Sequence, residues 1–392
     1  MTYPADSGSQ ADWREGGFGL YIHWPFCLSK CPYCDFNSHV WREVDQPRWR
    51  QALLVEMRAA HARAPDRAVD TVFFGGGTPS LMPPETVDAL IREADRLWGL
   101  SCRAEITLEA NPTSIEAERF RAYAEAGVNR VSMGAQALND ADLRALGRTH
   151  SVAEARAAFD IARSAFDRVS FDLIYARSGQ TRAAWAAELR EAIAMAVDHL
   201  SLYQLTIEPG TRFAELHARG KLVIPEDEPA AALYETTQEI CEAAGMPAYE
   251  VSNHARPGAE SRHNLIYWRY GDYAGIGPGA HGRLTGSAGR LATETLRDPA
   301  AWMARVEAQG DGLSAVEPVA PQEQAAEMLM MGLRLREGVD LDRFARLAGA
   351  PIAETRLAPL IEDGFVSVDG SRLRATATGR PVLNALLRAL LA

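Results

Sequence analysis

The sequence predicts an α/β fold built on a parallel sheet, followed by a smaller, mostly helical domain. Three observations carry this expectation. Six strand-like segments alternate with helical ones between residues 18 and 207, the pattern of repeated β/α units. The segment 68–74 is almost continuously apolar, as expected of a strand buried on both faces. A chain of 392 residues, 47% hydrophobic and 24% charged, is long enough for one large globular domain and a second, smaller one.

The elements follow in order. Residues 1–17 are polar, lack the charged and apolar regions of a signal peptide, and read as a flexible tail. Residues 18–23 form the first strand. The helix 47–63 carries Leu53, Leu54 and Met57 on one side and arginines on the other. Strand two, 68–74, ends in Gly75-Gly76-Gly77-Thr78-Pro79, and a helix over 83–98 follows. Strand three, 104–110, stops at Asn111-Pro112, where Thr113 or Ser114 can cap the next helix. Strand four covers 129–134, with a helix over 139–146. Ser151 and Glu154 form a capping-box pattern that opens a helix to Phe166. Strand five (168–175), a helix (181–196) and strand six (199–207) complete the series. A closed or partly closed barrel and an open doubly wound sheet both fit, and either places the active site at the C-terminal strand ends.

Beyond Pro209 the pattern loosens. A helix spans 227–244, and 249–280 mixes aromatics, histidines and glycines. A loop at 286–289 marks the expected boundary between a barrel domain with its extension, 18–290, and a C-terminal domain, 291–392. The latter reads as helices near 321–336, 340–347 and 352–363, strands 365–368 and 372–375, and a last helix from 380, a winged-helix-like arrangement. Such units often bind DNA, but residues 340–392 hold seven Arg against six Asp and Glu. A packing lid or partner surface is the expected role. The whole chain is acidic, with net charge −11 and pI near 5.4, so no nucleic-acid partner is expected. No apolar run approaches the ~18 residues of a membrane span. The five cysteines do not form a disulfide framework, which points to a reducing, cytoplasmic setting with a metal or redox site.

Three of those cysteines, Cys27, Cys31 and Cys34, sit within eight residues directly after strand one. Crowded thiolates repel unless a soft metal takes their charge. Zinc, with His39 as a fourth ligand, and an iron–sulfur cluster both fit the spacing. With three protein thiolates, a cluster would leave one iron open to a small molecule. The triple glycine after strand two lets a ligand approach bare backbone, though a tight turn also explains it. It lacks the Gly-Lys-Ser/Thr of a phosphate loop. Glu109, Gln136 and Asp172 fall at or near the ends of strands three, four and five, and Tyr203 to Glu208 closes strand six, so one cavity mouth is expected to collect them all. Each of the first three also has a structural explanation, as a helix cap, an arginine partner or a loop-satisfying amide. Cys102 and Cys241 read as inert core thiols, and His61 and His217 as solvated.

Tyr21-Ile22-His23-Trp24-Pro25-Phe26-Cys27, the three-cysteine loop and Gly-Gly-Gly-Thr-Pro together resemble the radical S-adenosylmethionine (radical SAM) superfamily. The resemblance implies a partial (β/α)6 barrel, a 4Fe–4S cluster on Cys27, Cys31 and Cys34, and S-adenosylmethionine on the open iron. The glycine-rich segment, Gly76, Gly77 and Thr78, would receive its amino group. Four further stretches, 108–112, 130–136, 146–150 and 171–175, resemble the oxygen-independent coproporphyrinogen III dehydrogenase-like family. There Tyr21, Tyr33, Glu109, Gln136, Arg148 and Asp172 would contact S-adenosylmethionine.

Two departures divide that family. The dehydrogenases carry a fourth cysteine two residues after the third, where this chain has Phe36, and they carry a longer N-terminal segment. Both departures match the family's heme-chaperone branch, as does His263-Asn264-Leu265-Ile266-Tyr267-Trp268. Imidazole suits heme iron, and Tyr267 and Trp268 can wall a flat macrocycle. Alternatively, His263 satisfies a bend while the aromatics pack under the C-terminal domain. The resemblance implies a heme carrier serving respiratory-chain hemoproteins, within porphyrin metabolism and compatible with peripheral membrane contact. Cleavage of S-adenosylmethionine is left open, and the competing expectation is the dehydrogenase itself. Ala176-Arg177-Ser178-Gly179-Gln180 replaces the family's more usual Gly-Leu-Pro-Gly-Gln.

Overall fold

The six expected β/α units are present. In the computed structural model, which describes residues 9–41, 43–287 and 289–391, strands β1 (Phe18–Trp24), β2 (Val69–Gly76), β3 (Leu100–Ala110), β4 (Arg130–Gln136), β5 (Arg168–Tyr175) and β6 (His199–Gln204) run parallel in chain order. β6 does not pair with β1. Their free edges are taken by β7 (Asn253–Ala255), antiparallel to β6, and β8 (Asp272–Ile276), parallel to β1. The barrel is therefore partial. From β8 the sheet continues antiparallel through β9 (His281–Gly286), β10 (Gly289–Thr295) and β11 (Leu313–Pro318), eleven strands in all.

Alternation along each strand sorts the side chains. On β1, Leu20, Ile22 and Trp24 are fully buried outward against the helices, while Gly19, Tyr21 and His23 face the barrel interior. The helix Gln46–Arg63 covers this outer face with Trp49, Leu53 and Met57. Each such side chain contributes about 1.5–3 kcal/mol by leaving water. The Ser151–Glu154 capping box forms as expected and opens the helix Val152–Ala165.

Four features depart from the sequence expectation. The tail to residue 17 is not free: residues 1–8 lie outside the described residues, but Ser9–Glu15 form a 3-10 helix. Its Trp13 packs edge-on against Phe18 and beneath Arg67, and its buried Asp12 pairs with Arg343 at 2.7 Å. The boundary at 290 falls inside the β9–β10 hairpin. The barrel's sheet runs on to Pro318, and helix Pro299–Gln309 stacks Trp302 on Trp49 at 5.1 Å. A separate core built on Leu329, Val339, Leu373 and Leu386 follows, with a three-stranded sheet that includes the unanticipated pair Val339–Asp340. Finally, Cys102 is exposed rather than buried, because it lies at the start of β3 before that strand enters the core. Cys241 is fully buried.

Candidate functional site

The C-terminal ends of the barrel strands open on one cavity of about 170 Å³. The cysteine loop forms its roof. A turn inside the loop, Cys34 N–H to Cys31 O at 3.1 Å, is held from outside by the Phe213 N–H on Pro32 O at 2.8 Å. Gly77 N–H reaches Trp24 O at 2.7 Å and Thr78 N–H reaches Phe26 O at 2.9 Å, which docks the glycine turn against the loop's start. A Cβ on Gly77 would stand 2.7 Å from Phe26 O and 3.0 Å from Cys27 Sγ, so only glycine fits here.

All three thiols line the cavity, each facing a hydrogen-bonding group. The Thr78 hydroxyl donates to Cys27 Sγ at 3.4 Å and Arg148 Nη1 to Cys31 Sγ at 3.3 Å, while Cys34 Sγ lies 3.7 Å from Ser38 Oγ. Burial pushes the Cys27 thiol up, Thr78 opposes this, and Cys34 and Cys31 add to it. Among the described residues no three His, Cys, Asp or Glu side chains stand at metal-holding separation. The donor set itself is all sulfur, with its hydrogen bonds supplied by hydroxyls and a guanidinium, and it fits a thiophilic iron cluster. His39 is not in the cavity wall and hydrogen-bonds Asn37 Oδ1 at 3.2 Å, so the Cys3His set is not assembled.

The remaining walls are polar. Gly76, Gly77, Thr78, Glu109, Gln136, Arg148, Asp172 and Tyr33 all line the cavity, as the sequence expected. Glu109 accepts the Gly76 N–H at 3.3 Å. Burial, then the charge of Asp172, pushes Glu109 up to about 8, and burial pushes Asp172 up to about 6 against hydrogen bonds from Ser201 and Ser132. Arg148 Nη2 bonds Asn111 Oδ1 at 2.6 Å and Gly134 O at 2.9 Å, which braces the loop ends after β3 and β4 to the cysteine loop. Tyr21 lies outside the cavity wall, as do residues 203–208 at the end of β6. The Tyr21 hydroxyl meets His23 Nδ1 at 3.0 Å, and its ring stacks on Phe73 and His263.

In the sequence Asn111 marks only a strand end. Yet its Nδ2 also donates to Thr78 Oγ1 at 3.2 Å, which makes it a hub of the site. Arg177, the unexplained departure, is buried behind the cavity. Its Nη1 donates to Ile174 O at 2.7 Å and to Gln136 O at 3.4 Å, and its Nη2 binds Glu188 and, at 2.8 Å, Asp142. Gln136 has φ +72, and Arg177 holds this left-handed residue in place.

The hexapeptide lies elsewhere. Helix Arg262–Trp268 plugs the opposite end of the barrel, with the Arg262 and His263 N–H groups on Glu105 Oε1 at 2.9 and 3.3 Å. His263 is buried. Nδ1 meets Thr71 Oγ1 at 2.6 Å and Nε2 meets Tyr267 OH at 2.7 Å, so neither nitrogen is left for iron. Burial, with Arg130, lowers His263 to about 3 and keeps it neutral. The expected axial ligand is thus a structural residue in this conformation. Trp268 faces the C-terminal domain with Arg334 5.0 Å over its ring.

A partial (β/α)6 barrel with a thiol loop roofing its strand ends defines a protein of the radical SAM type. Residues 21–192 match the model of the Radical SAM superfamily, and 319–382 that of the HemN C-terminal domain. The chain is 38% identical to the Escherichia coli (strain K12) protein named heme chaperone HemW, over 95% of this chain and 98% of that one. It is 39% identical to the Bos taurus radical S-adenosyl methionine domain-containing protein 1, mitochondrial, over 95% and 87%. The fold of Escherichia coli coproporphyrinogen III oxidase (HemN) superposes with a TM-score of 0.80 at 23% identity, covering 98% and 94%. The chain belongs to the radical SAM superfamily, in the family that includes these HemW and mitochondrial proteins. That membership implies a 4Fe–4S cluster and S-adenosylmethionine. Among the described residues no helix is long and apolar enough to cross a membrane.

Proposed function

We propose that the chain is a heme chaperone. It holds a 4Fe–4S cluster on Cys27, Cys31 and Cys34, binds S-adenosylmethionine across the strand ends, takes up heme, and delivers it to respiratory-chain hemoproteins from the cytoplasm, at the membrane periphery. The observation that carries this reading is Phe36. It occupies the position of the dehydrogenases' fourth cysteine and stands 60% exposed at the cavity wall. The HemW names of relatives at 36–38% identity over nearly the whole chain support the same branch.

Bound together, cluster and S-adenosylmethionine supply one-electron reductive chemistry. This chain's residues bind and orient. Gly76 and Gly77 offer bare backbone to the amino-acid end of S-adenosylmethionine. Burial holds both Glu109 and Asp172 toward the protonated form, and the charge of Asp172 pushes Glu109 further, so the pair can present a donor beside an acceptor to a ribose diol. Arg148 fixes the cysteine loop relative to both.

Anaerobic reconstitution tests the reading. About four iron and four sulfide per chain are expected, with stoichiometric heme uptake and transfer to an apo-cytochrome. The intact cluster and S-adenosylmethionine site motivates the dehydrogenase alternative. Turnover of coproporphyrinogen, or failure to bind heme, would replace the chaperone reading with it.

A further inference from the structure

A second and larger cleft, about 870 Å³, lies between the barrel and the C-terminal domain. Tyr234, Tyr249 and Leu265 wall it from one side and Leu335, Ala377 and Pro381 from the other. Leu265 belongs to the same helix as His263, but it faces this cleft while His263 faces the barrel interior.

Six of the nine charged side chains that line the cleft are paired, Arg374 with Asp369 at 3.4 Å among them, while Glu235 and Glu260 have no ion-pair partner among the described residues. Arg269 pairs with Glu337 at 2.7 Å, Arg336 with Glu242 at 3.0 Å, and Glu239 with Arg182 at 3.4 Å. Arg380 differs: among the described residues it has no carboxylate at ion-pair distance. Tyr234 and the like-charged Arg336 both lie within electrostatic reach of it. Glu250 acts on it only from longer range and is committed to the Ser252 N–H and the Asn253 amide. Burial first, and then Arg336 against the opposing pull of Tyr234, holds Arg380 below its ordinary value. A half-buried guanidinium without a paired carboxylate, beside the cleft's tyrosines, leucines and prolines, is a seat for a carboxylate on an otherwise apolar ligand.

We propose that this cleft seats the carried porphyrin, a flat apolar dicarboxylate that enters edge-first between the two domains and places a carboxylate on Arg380. The inference rests on the chaperone reading. The cleft's size falls in the range of small-molecule sites, and its tyrosines and prolines suit the face of a macrocycle. No His, Cys or Met lines it among the described residues, and burial holds its two tyrosines, Tyr234 and Tyr249, in the protonated form that binds iron poorly. The porphyrin is held by its face and its carboxylates, and its metal is incidental.

The test uses the reconstituted full-length chain, titrated anaerobically with hemin and with iron-free protoporphyrin. Dissociation constants within about threefold of each other are expected. Arg380→Gln weakens both about tenfold, the loss of one charge-assisted contact. Ala377→Trp, which fills the cleft from an exposed turn, weakens both at least as much. Iron, sulfide and S-adenosylmethionine binding stay at wild-type levels in both variants, which excludes misfolding as the cause. Three results overturn the inference and leave the chaperone reading standing: hemin binding unchanged in both variants, hemin bound but protoporphyrin rejected, or the spectrum of a histidine-ligated low-spin heme. If the wild-type chain binds neither molecule, the chaperone reading falls and takes this inference with it.

Discussion

Replacing Arg177 by leucine separates what the site binds with from what holds it in shape. The Arg177 side chain is 6% exposed and its partner Glu188 9%, while Asp142 is more open at 33%. Breaking a buried pair from one side leaves an uncompensated charge and costs about 3–5 kcal/mol. Glu188 keeps the Leu138 N–H at 2.7 Å and the Gln180 amide at 3.2 Å, which places the loss near 3 kcal/mol, the lower end of that range. The functional effect is indirect. Without the hydrogen bond to its carbonyl, Gln136 relaxes from φ +72 and its amide leaves the cavity wall. One hydrogen bond, about 0.5–1.5 kcal/mol, corresponds to a rise of roughly 2- to 13-fold in the dissociation constant of S-adenosylmethionine. Urea unfolding reads the first effect, and equilibrium dialysis on cluster-loaded protein reads the second. The double variant Arg177→Leu/Glu188→Leu removes the stranded charge but also the acceptor of the Leu138 N–H, so it regains part of the stability and none of the affinity. A destabilised single variant with S-adenosylmethionine affinity within twofold of wild type would refute the positioning role.

Three further outcomes are expected. Serine at Cys27, Cys31 or Cys34 abolishes the brown colour and bound iron, and full iron retention in any one of the three would remove that residue from the ligand set. Glu109 and Asp172, pushed up to about 8 and about 6, bind protons more tightly folded than unfolded, so their contribution to ligand-free stability declines as pH rises between about 4 and 8. Glu109→Gln flattens that decline in urea midpoints, and identical slopes in variant and wild type would contradict it. Asp12→Ala leaves the buried Arg343 with Glu15 at 3.7 Å and the Arg269 and Tyr270 carbonyls, and lowers unfolding free energy by about 3 kcal/mol, the lower end of the range for a broken buried pair; a change under about 1 kcal/mol would mean the N-terminal turn is not a structural part of the domain.

The repeating units were legible because their signals are local. The apolar run at 68–74, the capping box at Ser151 and the glycines after β2 each act within a few residues, and all appear where expected. The cavity's walls were legible because parallel strands bring their C-terminal ends together whatever the side chains. What stayed hidden depends on distant partners. Nothing near Trp13 announces that Arg67 and Phe18 will cover it, and nothing near residue 272 announces that β8 slides in beside β1. His263 illustrates the same limit. Its chemistry suggested a metal ligand, but Thr71, 192 residues earlier, claims one nitrogen. Arg177 looked out of place in its turn because its partner Glu188 lies on the next helix.

The pairing of Asp12 with Arg343 spans 331 residues and has a consequence for synthesis. On the ribosome, the turn at Ser9–Glu15 emerges before the barrel, yet its guanidinium partner is translated after it. Until then β1 can form with Trp13 beside it, but the Asp12 carboxylate remains hydrated and the turn unpinned. This contact therefore joins a turn made before the barrel to a domain made after it. A chain interrupted before Arg343 would carry every cluster ligand and every strand of the barrel without the latch that closes them.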